Sequence, residues 1–451
     1  MTREQARLKE EQLGNGVTDG LALSWLFVYA MTVNGLDHVV DNDEKQILRS
    51  LARRVADLAD MPAQEERRSL WKAHLSLKNV RPPVFIDPEL AWYEILPHTV
   101  LRCKNNLARV WEYRLLKEIF WQERIKDDRV CRKEFSVQHV YVKTGVGVEA
   151  RTEGGESGGA YRIVPALADY NDMDKLKFSE IAVDYEKTDR LLNIASDVFG
   201  HILEVRIDDA WWYGCGLTQD VIRLRGYDTF MTDVYDHPDE LRALIEFFAD
   251  NWTHQLNFLE KNNLLSLNNG GEFMGTGGYG WCDDLPQPGF TPGRVRPMDM
   301  WGYGECQECV SMNPDVFEHF VFPYMLPIFD RFGLNSFGCC EPLDDKIRLL
   351  KDKLPRLRKV TVSPWSDLRY MAEELGQNYA YCWKPNPADI AVSPMDEDGI
   401  RADFRKNLTM LSAYGCPTEI VMRDVRTLAC SAYNAARWTE IAMEEAKRAW
   451  G

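Results

Sequence analysis

The sequence predicts an α/β fold, a (β/α)8 TIM barrel with a helical N-terminal extension. Short apolar segments, each followed by a polar loop and then by an amphipathic stretch, recur about eight times, an order typical of parallel strands joined by helical crossovers. The chain has 451 residues, enough for one large barrel and an extension. Its hydrophobic fraction of 45% and charged fraction of 27% indicate a folded protein with an ample core.

The charge and hydropathy pattern excludes several classes of partner. The formal net charge is −16, and Lys and Arg form no dense block, so the basic footprint of a nucleic-acid-binding or membrane-surface protein is missing. The longest apolar run, 21–33, is interrupted by Ser24 and Thr32 and falls short of the roughly 20 residues that a bilayer span needs. We therefore expect neither nucleic acid nor a membrane as partner.

The first residues and the cysteines indicate a cytoplasmic protein. The N-terminal stretch carries charges of both signs and no apolar segment with a cleavage site, so we expect no secretion signal. Eleven cysteines, an odd number scattered along a long chain, are typical of reduced thiols rather than of a disulfide framework.

Residues 1–80 are predicted to form the helical extension and residues 81–451 the barrel. In the extension, Asp43 is expected to cap a helix, because Ile47, Leu48 and Leu51 follow it at helical spacing. The Arg-Pro-Pro sequence at 81–83 ends the extension. Strands are predicted at 84–86, 137–148, 202–207, 264–267, 334–337, 359–362, 379–383 and 419–422, with helices at 101–125, 221–248, 314–332 and 433–450.

The loops that follow these strands carry the candidate site residues, because catalytic groups of a barrel lie at the carboxyl ends of its strands. We expect the carboxylates on these loops to transfer protons. Trp211 and Trp212 would form the wall of a site for a flat ligand, or alternatively belong to the core. The candidates are Glu305, Glu308 and Asp424 for catalysis, and Glu94, Trp211, Trp212, Glu272, Lys384 and Asn386 for substrate binding.

Thiols mark the loop after the strand predicted at 334–337. Adjacent Cys339 and Cys340 are followed by Glu341, and thiolates with a nearby carboxylate suit zinc. The alternative is a pair of small buried apolar side chains. Cys306 and Cys309 could form a redox dithiol, but buried wall residues are the simpler interpretation. No phosphate-binding glycine loop, dinucleotide fingerprint or serine-hydrolase elbow is present.

Two segments resemble a known superfamily. NPDVFEHFVFPYMLPI, from Asn313 to Ile328, resembles the S-P-E-x-F-E-E-F-x-x-P-Y segment of the uroporphyrinogen decarboxylase superfamily. RLRGYDTFMTDVYDHPDELRALIEF, from Arg223 to Phe247, resembles its L-R-G-x-E-x-F-L-x-D-L-Y-x-x-P-E helix pair. The resemblance covers roughly residue 81 to the C-terminus and implies a (β/α)8 barrel.

The superfamily has a porphyrinogen decarboxylase branch and a zinc-dependent methyltransferase branch. The R-Q-A-G-R motif of the decarboxylases has no counterpart in the stretch from Ile86 to Trp92. The H-x-C zinc motif of the methyltransferases is matched only in its cysteine, Cys339. The resemblance thus favours the methyltransferase branch, with Cys339, Cys340 and Glu341 as the expected metal ligands.

The resulting hypothesis is a metal-assisted methyltransferase or demethylase that moves a methyl group between a small substrate and a corrinoid, thiol or folate acceptor. The resemblance implies zinc, a corrinoid-carrying partner protein and a homodimer. Two alternatives stay open: a metal-free decarboxylase or lyase that holds a small acid with Lys384 or Arg423, and a protein that only binds a corrinoid or other tetrapyrrole.

Overall fold

The computed structural model describes residues 39–149, 151–154, 161–209, 214–275 and 277–451. The described chain divides into two compact units. The first consists of Val142–Ala182 and Trp211–Tyr381, and the second of the described part of Glu4–Tyr141 with Val183–Ala210 and Cys382–Gly451. The predicted boundary between extension and barrel at residue 80 stays a prediction.

The described residues alternate between short strands and helices. The strands are β1 (Val84–Ile86), β2 (Glu134–Val137), β3 (Val140–Lys143), β4 (Arg151–Gly154), β5 (Tyr161–Val164), β6 (Ile181–Asp184), β7 (Glu204–Ile207), β8 (Gly214–Cys215), β9 (Trp301–Gly304), β10 (Leu334–Phe337), β11 (Leu357–Val362), β12 (Ala380–Trp383) and β13 (Thr418–Met422). The α-helices are α1 (Asn42–Ala59), α2 (Ala63–Leu75), α3 (Trp92–Ile95), α4 (Asn106–Phe120), α5 (Tyr185–Phe199), α6 (Leu217–Arg225), α7 (Tyr227–Asp236), α8 (Pro238–Lys261), α9 (Pro314–Phe320), α10 (Phe322–Phe329), α11 (Ile347–Lys353), α12 (Leu368–Leu375), α13 (Glu397–Ala413) and α14 (Ala432–Trp450).

Seven of the described strands form one sheet in the order β1, β13, β12, β11, β10, β9, β8. Parallel pairing joins β1 to β13, and β9 to β8 and β10. Strands β2 and β7 form a separate parallel pair. Strands β1 and β9 to β13 each precede one or more helices, whereas β3 to β6 lie between β2 and α5, and β8 lies between β7 and α6. With these insertions the eight strand–helix units follow the order of a (β/α)8 barrel. The predicted fold class is confirmed.

One predicted strand was wrong, and five described strands, β4, β5, β6, β8 and β9, were missed. The structure has no strand at 264–267, and β9 supplies the missing strand–helix unit instead. The side chain of Asn268 accepts a hydrogen bond from Trp301 N (2.8 Å) and donates one to Trp301 O (3.0 Å). These side-chain bonds connect the residue after Leu267 to β9.

The amphipathic run predicted as one helix over 314–332 is two helices, α9 and α10, separated at Val321. Pro323 lies in the first turn of α10, and a proline has no N–H to continue the hydrogen bonds of a preceding helix. The predicted cap of the first helix was also misplaced, because the capping residue is Asp41. Its carboxylate accepts from Glu44 N (2.9 Å), and the Glu44 carboxylate accepts from Asp41 N (3.0 Å).

The segment that resembles the L-R-G helix pair forms α6, α7 and α8 of the first unit. Arg225 donates from Nε (2.9 Å) and Nη2 (2.7 Å) to the carboxylate of Asp233, and the Tyr170 hydroxyl donates to the same oxygen (2.6 Å). Gly226 between the helices has a φ of +77°, a conformation that glycine adopts without steric cost. The residues of this motif therefore build a helix junction.

The core of the second unit is aromatic at its centre. The ring centroids of Phe135 and Phe199 lie 4.0 Å apart, and Trp111 packs against both at 5.5 and 5.4 Å. All three side chains are fully buried. No helix within the described ranges is long and apolar enough to cross a membrane.

Candidate active site

In the first unit, three neighbouring strands end at the same level. Parallel pairing sets Cys215 of β8 beside Gly304 of β9, and Gly304 beside Phe337 of β10. The residues that follow are therefore brought to one edge of the sheet, where ligands of α/β proteins usually bind. They include Gly216, the predicted catalytic Glu305 and the loop with the predicted metal ligands Cys339, Cys340 and Glu341.

Glu305 is held in place by its own strand and loop. Its side chain accepts hydrogen bonds from the Tyr303 hydroxyl (3.3 Å) and from Gln307 Nε2 (2.6 Å), and the residue is buried. A side chain added at Gly216 would come within 3.4 Å of Glu305 Oε1. The glycine thus leaves room for the carboxylate at the beginning of α6.

Glu308 lies on the same loop and forms an acidic group with Glu305 and Asp220. Thr218, in the first turn of α6, donates its hydroxyl to Glu308 Oε2 (2.8 Å). Burial raises the pKa of the Glu308 carboxyl, and the charges of Glu305 and Asp220 raise it further. Burial also raises the pKa of Asp220, although Trp252 Nε1 donates to it at 3.1 Å. Glu308 and Asp220 therefore retain their protons to a higher pH than ordinary carboxyl groups do.

Glu341, a predicted metal ligand, instead connects two strand-end loops. Its Oε1 accepts from Cys306 N and its Oε2 from Cys339 N, both at 2.9 Å, and the side chain is buried. Both carboxylate oxygens therefore accept a hydrogen bond from a backbone amide. In this way Glu341 links the loop after β9 to the loop after β10.

The two adjacent thiols lie together, with Cys339 Sγ 3.3 Å from Cys340 Sγ. Within the described ranges, however, no three His, Cys, Asp or Glu side chains are grouped so that they could hold a metal ion. A catalytic zinc takes three protein ligands, and the thiol pair with an amide-bonded Glu341 does not fit that requirement. Zinc stays a prediction, and no step of the function proposed below passes through it.

Replacing Glu341 by glutamine distinguishes a structural role of its carboxylate from a role as a metal ligand. If the carboxylate holds the loops together, Glu341→Gln should lower the free energy of unfolding by about 1–3 kcal/mol, because a buried amide loses its charged acceptor. Urea denaturation measures this loss, with Glu240→Gln, a half-exposed carboxylate of the same unit, as the control. An unchanged stability together with a lower zinc content by elemental analysis would instead make Glu341 a ligand.

The remaining predicted residue of the first unit, Glu272, accepts a hydrogen bond from Gly270 N (3.1 Å) and so closes a turn. Trp211 and Trp212, predicted to line the substrate site, lie outside the described residues.

In the second unit, two predicted binding residues shape the backbone. Glu94 Oε2 accepts from Leu428 N (2.9 Å) and Cys430 N (2.8 Å), so it fixes the loop after β13. Asn386 caps the short helix Pro387–Ile390 by accepting from Ala388 N (3.0 Å). A substrate-binding role for either side chain stays a prediction.

Asp424 and Lys384 follow β13 and β12 in the second unit. Asp424 has a φ of +63°, which aspartate tolerates better than most residues, and Lys384 is buried. The residue before Asp424, Arg423, is fully buried and forms an ion pair with Glu89. Burial raises the pKa of Glu89, although the charge of Arg423 opposes the shift. The contact with Glu89 involves the Nε of Arg423, and the alternative function in which Arg423 holds a substrate carboxylate stays a prediction.

The structure also contains a histidine–aspartate pair that the sequence motifs did not indicate. His139 N donates to Asp209 Oδ1 (2.8 Å), and His139 Nδ1 lies 2.5 Å from Asp209 Oδ2. The two residues meet because β2 and β7 pair in parallel, with Val137 beside Ile207. A histidine and an aspartate two residues beyond neighbouring strands would have been the signal, but the strand predicted over 137–148 placed His139 inside it.

Comparisons with known proteins add little to this geometry. No family model and no curated protein matches the sequence. Among solved structures, the chain is similar to a methyltransferase from Methanosarcina mazei, with 9% sequence identity and a TM-score of 0.44 over 85% of this chain and 99% of that one. The resemblance to the uroporphyrinogen decarboxylase superfamily therefore depends on the two sequence segments alone.

Proposed function

We propose that this chain is a methyltransferase or demethylase that removes a methyl group from a heteroatom of a small substrate and passes it to a thiol, corrinoid or folate acceptor. The sequence resemblance supplies the reaction class. The observation that carries the chemistry is the pair of carboxyl groups on one strand-end loop, because Glu305 accepts hydrogen bonds while burial keeps Glu308 protonated to a higher pH.

The two carboxyl groups suit opposite halves of the transfer. When the methyl group leaves, its heteroatom gains an electron pair, and the protonated Glu308 can donate a proton to it. When the acceptor is a thiol, it must lose its proton to become nucleophilic, and Glu305 is the neighbouring carboxylate that can take it. The balanced result is a demethylated substrate that carries the proton of Glu308, a methyl thioether, and a protonated Glu305.

The hydrogen bonds around the pair support this division of roles. The Tyr303 and Gln307 donors favour the charged form of Glu305. Glu308 has the Thr218 hydroxyl as donor, but it lies among the negative charges of Glu305 and Asp220. Two carboxyl groups whose surroundings differ in this way are a recurring arrangement for acid and base catalysis.

A substrate screen tests the proposal. Protein purified without added metal is incubated with O-, N- and S-methyl compounds and with a thiol, reduced cobalamin or tetrahydrofolate, in the presence and absence of zinc. Methyl transfer for at least one pair, detected by mass spectrometry, is the expected result. Carbon dioxide release from small acids without any methyl transfer would replace the proposal by the decarboxylase alternative. Cobalamin binding without turnover would indicate a binding protein.

A further inference from the structure

The adjacent thiols of Cys339 and Cys340 differ from the other cysteines in closeness and exposure. Their sulfur atoms lie 3.3 Å apart, and Cys340 is half-buried while Cys339 is only 3% exposed. All eleven cysteines lie in the described residues, and none is in a disulfide. Besides Cys340, only Cys430 is open to solvent among them.

The loop that carries the pair is held at its backbone. Cys339 N donates to Glu341 Oε2 (2.9 Å). Gly338 has a φ of +103°, and a Cβ at this position would come within 2.8 Å of Leu343 Cδ1 and 3.1 Å of Thr361 O. The two sulfur atoms thus lie side by side on a fixed loop, 3.3 Å apart, compared with roughly 2.05 Å in a disulfide bond.

Cys306 and Cys309 have the spacing of a redox dithiol but the surroundings of core residues. Both are 0% exposed. Disulfide exchange requires direct contact between a thiolate and the reagent, and the burial of this pair shields both sulfur atoms from reagents.

We propose that Cys339 and Cys340 form a reversible vicinal disulfide by exchange with a low-molecular-weight disulfide, while Cys306 and Cys309 stay reduced. The Cys340 thiolate attacks one sulfur of the reagent and releases one thiol. Cys339 then loses its proton and attacks the mixed disulfide at Cys340, which releases the second thiol and closes the bond. The protein loses two electrons and two protons, and the reagent is reduced to two thiols.

The product should be easy to reduce again. The Cα atoms of adjacent residues lie about 3.8 Å apart across a trans peptide, which is shorter than the roughly 4.4 Å at the lower end of the usual disulfide range. A disulfide strained in this way is more reducible than a structural one. The disulfide between Cys339 and Cys340 therefore forms and is reduced again as the ratio of thiol to disulfide in the surrounding solution changes.

Mass spectrometry with oxidised glutathione tests the inference. The native protein is treated with oxidised glutathione, its remaining thiols are alkylated after denaturation, and its peptides are mapped. In the wild type, the peptide with Cys339 and Cys340 should lose two hydrogen atoms and carry no alkyl group, and dithiothreitol should reverse this change. Cys306 and Cys309 should both be alkylated.

Single substitutions sharpen the result. In Cys339→Ser, a glutathione adduct should persist on Cys340, because no second thiol can release it. In Cys340→Ser, glutathione should appear only on Cys430, which has an exposed side chain and no neighbouring cysteine in sequence. A stable glutathione adduct on Cys340 of the wild type, a Cys306–Cys309 disulfide, or unchanged alkylation of Cys339 and Cys340 would each overturn the inference. The wild-type mapping decides the matter even if a variant fails to fold, and it does not depend on methyl transfer.

Discussion

Replacing Glu308 by glutamine is expected to lower the turnover number for methyl transfer by at least about 10²-fold, since a general acid typically contributes about 10²–10⁴-fold to a rate. Glutamine keeps the size of the side chain and can still accept a hydrogen bond from Thr218, but it cannot give up a proton to a leaving heteroatom. Steady-state kinetics with the best substrate of the screen measure the loss. The KM should change much less than the turnover number.

The pH dependence gives a second readout of the same group. Burial raises the pKa of Glu308, and only its protonated form can act as the acid. On the high-pH side of the profile, the turnover number should therefore fall as the pH rises through this raised pKa. Glu308→Gln should lose this part of the profile. The control is Glu318→Gln, a partly exposed carboxylate of the first unit that pairs with Lys353, and it should match the wild type. An equally active Glu308→Gln variant would remove Glu308 from the mechanism.

The order of strands and helices could be predicted because buried parallel strands are short and apolar. One exception is β9, where the sequence Trp-Gly-Tyr-Gly contains two glycines, which are rare in strands. The reason why glycine occupies these two positions is seen only in the three-dimensional structure. A Cβ on Gly302 would come within 2.3 Å of Asn335 Oδ1, and one on Gly304 within 2.2 Å of the Phe329 ring. The glycines allow this close packing, and no sequence pattern indicates it.

The candidate site was predictable to the extent that it depends on strand ends. Glu305 follows β9 and Cys339 lies two residues beyond β10, and the parallel register brings these ends together. The role of Glu341 could not be predicted, because one of its two amide partners, Cys306, lies 35 residues away in sequence. His139 and Asp209 are 70 residues apart and meet only through the register of β2 and β7. Contacts of this kind depend on the fold and not on local sequence.

Breaking the buried ion pair between Arg225 and Asp233 is expected to destabilise the protein by about 3–5 kcal/mol, because removal of one partner leaves the other charge buried and uncompensated. The two side chains are only 4% and 3% exposed. Arg225 also donates from Nη1 to Leu167 O (2.6 Å) and Ala168 O (2.9 Å), so Arg225→Ala leaves two carbonyl groups without this donor as well. Urea denaturation should show a lower midpoint for Arg225→Ala and for Asp233→Asn.

The same experiment tests what the L-R-G resemblance means. Lys175→Ala, which removes an exposed ion pair with Asp172 in the same unit, should cost at most about 1 kcal/mol. If Arg225 and Asp233 act only on stability, their variants should keep the wild-type turnover number at temperatures where they stay folded. A large loss of turnover in a folded Arg225→Ala variant would contradict the structural role. Retained turnover would mean that this resemblance reflects a shared helix junction, and that the chemistry depends on the strand-end loops with Glu305 and Glu308.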